Sequence, residues 1–345
     1  MESEPRPLGI LHEHPAWFEP LFAELDRRGL PYAPIHASDH TFDPSVRESP
    51  YGLVFNRMSP SAHTRGHGHT IRYTSHYLAH LESLGVPMLN GPEAWRIEIS
   101  KARQLDLFED LGVPYPAARV IHDPRQAPDA AEGLRFPVVL KPNVGGSGAG
   151  IRRFVDPGSL AEAAASGSLD LGVDGTALVQ EFIPARGSRI VRVEVMNDRV
   201  LYAIGVRIAG EDFNLCPADI CQEEAAGPGG DAASPGNGAE LAGVCPADEN
   251  TVNGDGAGDR VVAVEAPPDV QETVRRIVRA GGMKIGGVEY LTDERDGQRY
   301  FYDVNALSNF VADAPRIVGF DPFVDLVDWL ETEWSRTVSA AETAP

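Results

Sequence analysis

The stretch Arg135 to Ile151, Arg-Phe-Pro-Val-Val-Leu-Lys-Pro-Asn-Val-Gly-Gly-Ser-Gly-Ala-Gly-Ile, constrains this chain more than any other. An apolar run of strand length delivers one lysine, a glycine-rich turn follows, and Ile151 to Val155 reads as a second strand. The turn, Gly145-Gly146-Ser147-Gly148, leaves the backbone free to present its N–H groups to an anion, and Lys141 brings a point charge to the same place. The order strand, lysine, glycines, strand is not that of a Walker loop, in which Gly-Lys-Ser/Thr opens a helix, and it disfavours a dinucleotide fingerprint for the same reason. It reads as a triphosphate loop, with a plain glycine-rich hairpin as the alternative.

The flanking segments set the fold class. Leu8 to Leu11, a helical pattern over Trp17 to Arg28, strands at Tyr32 to His36 and Tyr51 to Asn56, a helix over His69 to Leu84 and a strand at Pro87 to Asn90 alternate with short joins. Such alternation predicts a small parallel sheet covered by helices, an α/β unit over residues 1–92. A long helix over Glu93 to Leu111 carries Lys101. Strands at Ala117 to Ile121 and Ala177 to Ile183 frame the glycine loop in a second unit, 93–183. Two long strands, Ile190 to Met196 and Val200 to Ile208, meet at the turn pair Asn197-Asp198 and open a third unit, 184–336. That unit is interrupted at 222–259 by a segment with eight acids, no lysine or arginine and no apolar period, which reads as a flexible insert. A helix with Val270, Val274, Ile277 and Val278 on one face resumes the order. A helix over Pro322 to Trp334 ends it, and 337–345 is expected as a disordered tail.

Gly287 to Leu291 and Tyr300 to Asn305 read as an antiparallel pair with Glu289, Asp303 and Asn305 at alternate positions, so that all three share a sheet face. Hard oxygen donors gathered this way suit Mg²⁺, with Mn²⁺ as its substitute, and a solvated hairpin face is the plain alternative. Charge narrows the partners. A formal net charge of −21 argues against nucleic acid or an anionic membrane, both of which need a basic footprint. The absence of an apolar signal core in Met1 to Pro7 and of any membrane-length apolar run leads to the expectation of a cytoplasmic chain. Three cysteines, Cys216, Cys221 and Cys245, match no zinc spacing or disulfide framework. His63, His67 and His69 leave three readings open: a metal site, a substrate-facing loop or plain surface.

With these elements in order, the chain from about Leu8 to Trp334, insert excluded, resembles the ATP-grasp superfamily, and within it the RimK-like and glutathione-synthetase-like carboxylate-amine ligases. The resemblance implies a mixed α/β and α+β fold: an N-terminal Rossmann-like domain followed by two lobes that clasp a nucleotide. It puts Lys101 and Lys141 on phosphate, Gly145 to Ile151 in a mobile phosphate lid whose Gly145, Gly146, Ser147 and Gly148 meet the nucleotide, and Gln180-Glu181-Phe182-Ile183 along the adenine edge. It makes Glu289, Asp303 and Asn305 metal ligands, and Arg57, Arg192 and Asn309 substrate contacts. Arg207, with Lys141, is the catalytic candidate, stabilising a tetrahedral oxyanion. The implied activity joins a carboxylate to an amine through an acyl phosphate, with ATP and Mg²⁺, on an amino-acid or peptide-like molecule; a homodimer is compatible with it. A silent nucleotide-binding module and a small-molecule kinase are the competing functions. Asn305-Ala306-Leu307-Ser308-Asn309-Phe310 departs from the Asn-x-Ser-Pro-Gly usual in relatives, and Phe213 to Cys216 replaces a basic stretch, so the substrate end is expected to be reshaped.

Overall fold

The computed structural model describes residues 5–146, 148–208 and 260–343. Ser147, the segment Phe213 to Cys216, the three cysteines and the insert 222–259 lie outside the described residues.

Strand β1 (Leu8–His12) is central in the first sheet and is buried along its whole length, which is why it reads as an unbroken apolar run rather than an alternating one. It pairs in parallel with β2 (Tyr32–His36) and β3 (Leu53–Asn56), and β4 (Met88–Leu89) completes the order β2-β1-β3-β4. Helices Glu19–Arg28 and Gly68–Ser83 connect these strands. The carboxyl ends of β1 and β3 deliver Glu13 and Arg57, at the edge where open parallel sheets place ligands.

The second sheet is antiparallel, in the order β5 (Ala118–Ile121), β8 (Ala177–Glu181), β6 (Val138–Pro142), β7 (Arg152–Phe154). The glycine turn joins β6 to β7, and helix Pro157–Ala165 covers one face. Ile121, Leu140, Phe154, Leu160 and Val179 form a core that belongs to this lobe alone among the described residues. The third sheet is also antiparallel, in the order β11 (Val261–Val264), β10 (Arg199–Arg207), β9 (Ala185–Met196), β12 (Ile285–Asp293), β13 (Arg299–Asn305). Its β9–β10 turn sits on Asn197 and Asp198, at φ 48° and 64°, the left-handed geometry that two-residue hairpins need and that these residue types tolerate.

Alternation along β9 and β10 divides the third sheet into two faces. Val193, Val195 and Ala203 meet helix Pro268–Ala280 through Val270, Val274, Ile277 and Val278. Ile190, Ile204 and Val206 face the N-terminal domain and the last helix, sharing a core with Leu8, Phe18, Leu326 and Leu330. Two sequence expectations differ from the fold. The helix expected over Glu93 to Leu111 is two helices, Pro92–Glu98 and Lys101–Asp110, because the Ser100 hydroxyl accepts the Arg103 N–H at 3.3 Å and starts a new helix. The last helix, Pro322–Thr343, runs through most of the tail expected to be disordered. Among the described residues no helix is long and apolar enough to cross a membrane.

Ile277 is fully buried between the helix and the third sheet. Ile277→Ala should cost about 2–5 kcal/mol, the range for deleting a buried branched side chain whose surroundings cannot collapse. Urea unfolding of the purified chain reads that loss as a lower midpoint.

Candidate active site

The break between the two helices aims Lys101. As the first residue of the second helix it donates its backbone N–H to the Asn143 carbonyl at 3.2 Å, and its Nζ forms an ion pair with Asp303 Oδ1. Asn143 sits just beyond Lys141, and its Oδ1 accepts from Ala102 N at 2.9 Å and Ser100 Oγ at 3.1 Å. One amide thus ties the glycine-loop strand to the helix start. Lys141, at the end of β6, is 6% exposed; its Nζ donates to the Tyr302 carbonyl at 3.2 Å and lies 3.8 Å from Asp303 Oδ1. Burial and the neighbouring Lys101 charge push its pKa down to about 8, against the pull of Asp303 and Glu289.

The acids come from adjacent strands in register. Glu289 on β12 stands opposite both Asp303 on β13 and Arg192 on β9. Its carboxylate accepts from Arg192 Nη1 at 3.3 Å and from the Tyr302 hydroxyl at 2.9 Å. Burial, then the Asp303 charge, raise the Glu289 pKa. Burial also works against ionised Asp303, but Lys101 and Lys141 outweigh it and hold that pKa below the usual carboxylate value. Asn305 Nδ2 donates to Asp303 Oδ2 at 3.3 Å, which orients the amide oxygen away from that contact. Arg192 in turn donates Nε to Glu194 Oε1 at 2.6 Å. Three cations, Lys101, Lys141 and Arg192, therefore interleave with the carboxylates of Asp303, Glu289 and Glu194.

Lys101, Lys141, Arg192, Glu289, Asp303 and Asn305 line a cavity of about 250 Å³ between the second and third sheets. Gly145, Gly146 and Gly148 close one side, and Gln180, Glu181, Phe182 and Ile183 line it along the end of β8 and beyond. Asn309 also lines it, as do Ser59 and Ser61 from the N-terminal domain. The loop is seated on that domain: a Cβ on Gly146 would meet Ser61 Cβ at 2.5 Å and the Ser61 Cα and N at 3.0 and 3.1 Å.

Two expected residues are not brought to the cavity. Arg207 is exposed, on the face of β10 opposite the one that carries cavity-side Ile208 and core Val206; strand alternation alone turns it away. Arg57 is 1% exposed and lies behind the wall, its Nη2 on the Ser308 carbonyl, between the rings of Phe18 at 5.5 Å and Phe55 at 5.0 Å. The histidine loop comprises a 3-10 turn, Pro60–Arg65, and the entry to helix Gly68–Ser83. Two of its histidines serve structure: His63 Nδ1 meets the Pro60 carbonyl at 2.7 Å, and His67 and Arg65 both hold buried Glu13, at 2.5 and 3.1 Å, while His69 is exposed with its ring edge-on to His67 at 6.3 Å. Among the described residues no three His, Cys, Asp or Glu side chains form a group that could hold a metal.

Sequence reasoning passed over Glu98, Tyr302 and Glu194. Glu98 lines the cavity, is 7% exposed and accepts the Ala306 and Leu307 N–H groups; burial raises its pKa to about 7. Nothing local in Trp95-Arg96-Ile97-Glu98 marks it, since its partners lie more than two hundred residues away. Glu194 did carry a signal: with Arg192 it puts opposite charges two apart on a strand stretch that otherwise holds valines.

Residues 99–216 match the family model of the RimK-like ATP-grasp domain. A D-alanine–D-alanine ligase of Geobacter sulfurreducens is 28% identical over 136 residues, 39% of this chain and 41% of that protein, so the chain spans about two fifths of the length of this curated relative. Among solved structures, the ATP-grasp ligase PsnB complexed with a minimal precursor superposes with a TM-score of 0.62 at 18% identity, covering 95% of this chain and 99% of that one. The D-alanine–D-alanine ligase from Bacillus anthracis complexed with ATP gives 0.63 at 15% identity, covering 98% and 100%. Residues 99–216 thus match the RimK-like ATP-grasp domain, and the three sheets in this order form the fold of the ATP-grasp ligases on which the chain superposes.

Proposed function

We propose that the chain is an ATP-dependent carboxylate-amine ligase that activates an amino-acid or peptide-like acid as an acyl phosphate and releases ADP and phosphate when an amine displaces it. The observation that carries this reading is the convergence of Lys101 and Lys141 on Asp303, beside Glu289, under the glycine turn. Lysines fixed on a carboxylate in a cavity are the arrangement expected where a phosphate chain enters, exchanging its oxygens for the carboxylate's.

Magnesium fits the donor set. The carboxylates of buried Glu289 and half-buried Asp303, with one amide oxygen, suit an ion that takes few protein ligands and leaves its other positions to phosphate and water. Glu289, Asp303 and Asn305 would hold it, and when bound it would neutralise charge on the transferring phosphoryl group. Lys101 and Lys141 then orient the phosphates, the loop amides cover them, and Gln180 to Ile183 receive the base. The acid's carboxylate oxygen attacks the γ-phosphorus as the bond to ADP breaks. The amine then attacks the acyl carbon, the phosphate leaves with the carbon–oxygen electron pair, and the amine proton passes to solvent or phosphate. No protein nucleophile takes part. Exclusion of water by the seated loop protects the acyl phosphate, and most of the rate comes from alignment.

Lys141→Ala should abolish amine- and acid-dependent ADP release in a chain that still folds by circular dichroism; undiminished release would refute the phosphate role. Asp303→Asn should raise the Mg²⁺ concentration for half-maximal ADP release by about tenfold or more, as loss of a charged ligand or its support does. An unaltered titration curve removes Asp303 from the metal site. Gly146→Ala cannot be absorbed by a side-chain shift, because Ser61 backbone is in the way; it should lower ADP release by about tenfold or more through a lid that no longer seats, with thermal stability retained.

A further inference from the structure

The segment after the last carboxylate strand is held by groups from the first hundred residues. Asn90 Nδ2 donates to the Ala306 carbonyl at 2.7 Å, and Glu98 accepts the Ala306 and Leu307 N–H groups. Arg57 takes the Ser308 carbonyl. Beyond that point the chain turns sharply: Phe310 has φ 57°, a left-handed conformation that a bulky aromatic residue adopts only where its surroundings over-determine it. Its N–H donates to Ser308 Oγ at 3.2 Å, and its ring lies edge-on to Phe323 at 5.1 Å. Leu307, Asn309 and Phe310 all line the cavity, so the strained turn is its wall.

Arg57 is an expensive way to make one hydrogen bond. Its Nε and Nη1 have no hydrogen-bond partner among the described residues, and burial pushes its pKa down to about 9 although Glu194 and Glu98 pull the other way. Taking a guanidinium out of water costs more than a single carbonyl contact returns, so an apolar filler of similar volume would pack this site more stably. What a filler could not do is grip a main-chain carbonyl at the base of the turn.

We propose that Arg57 is a positioning residue for acid selection: by holding the Ser308 carbonyl it sets where Asn309 and Phe310 face the cavity, and so which carboxylic acid fits beside the phosphates. The inference rests on the ligase reading. It separates the cavity's two ends, because Lys101, Lys141 and Gln180 to Ile183 reach the nucleotide end through elements Arg57 does not touch.

The test uses the full chain and its Arg57→Met and Arg57→Lys variants. Binding of Mg²⁺·AMPPNP is measured by calorimetry, hydrogen–deuterium exchange is followed by peptide, and ADP release is screened against single amino acids paired with an amine panel. Arg57→Met should keep AMPPNP affinity within about twofold, raise exchange over residues 305–313 by about tenfold, and raise KM for the acid, or change which acid is preferred, with kcat little altered. Arg57→Lys, whose ammonium still reaches for a carbonyl, should recover part of the exchange protection and the acid profile. Unchanged exchange over 305–313 together with an unchanged acid profile overturns the proposal. So does a uniform rise in exchange across all peptides with loss of AMPPNP affinity, which marks a merely structural residue. If Arg57→Met does not fold, Arg57→Lys alone decides between these patterns. A wild-type chain that binds no AMPPNP and releases no ADP would overturn the ligase reading instead, and the exchange arm would still judge the grip of Arg57 on the wall.

Discussion

The structure is organised around a largely buried row of alternating charges, Lys101 and Lys141 on Asp303, then Glu289, Arg192 and Glu194. Its members come from four strands and a helix start, and none could be withdrawn from water without its neighbours. Two sheets with separate hydrophobic faces are thereby forced to meet at one polar seam. The seam is electrically balanced within itself, so a polyanion entering it must either displace a carboxylate from its lysine or bring its own cation. On the proposed ligase reading both would happen together if a divalent ion arrived with the phosphates, so a donor set too small for a metal cage would serve as half of one.

Much of this was legible in the residues because the informative segments were local. The strand, lysine and glycine turn of 135–151, and the paired acids of 289 and 303, occupy short windows in which period-two alternation fixes which side chains share a face. Arg207 was expected at the site from the resemblance and not from this rule, and alternation along β10 turns it to the opposite face. The break at Ser100 went unread, because the sequence reading ran a single helix from Glu93 to Leu111 where the Ser100 hydroxyl caps a second one. Glu98 and the role of Arg57 could not be read at all: their partners are backbone groups of 306–308, and a main-chain carbonyl leaves no mark in an amino-acid sequence.

The N-terminal domain does more than complete the hydrophobic core. Glu13 at the end of β1 gathers Arg65 and His67, and Arg65 Nη1 reaches Ser61 Oγ at 3.2 Å, so the 3-10 turn that receives the glycine loop is braced from beneath. Trp17 lies over Arg65 at 4.7 Å and also lines the cavity. Of the three histidines that suggest a transition metal in the sequence, His63 and His67 are thus explained by the scaffolding of this platform.

The second sheet keeps its apolar residues to itself: Leu140, Phe154, Leu160 and Val179 share no cluster with the other described residues of the molecule. A lobe whose sheet core is its own could swing with that core covered; on the ligase reading, admitting a nucleotide would part Asn143 from the helix start, Lys141 from Asp303 and Gly146 from its seat on Ser61, and would uncover Val144, which packs in the N-terminal domain's core. Water replaces each parted hydrogen bond, so the cost of such breathing falls chiefly on exposing Val144 and on separating Lys141 from the acid-lined sheet.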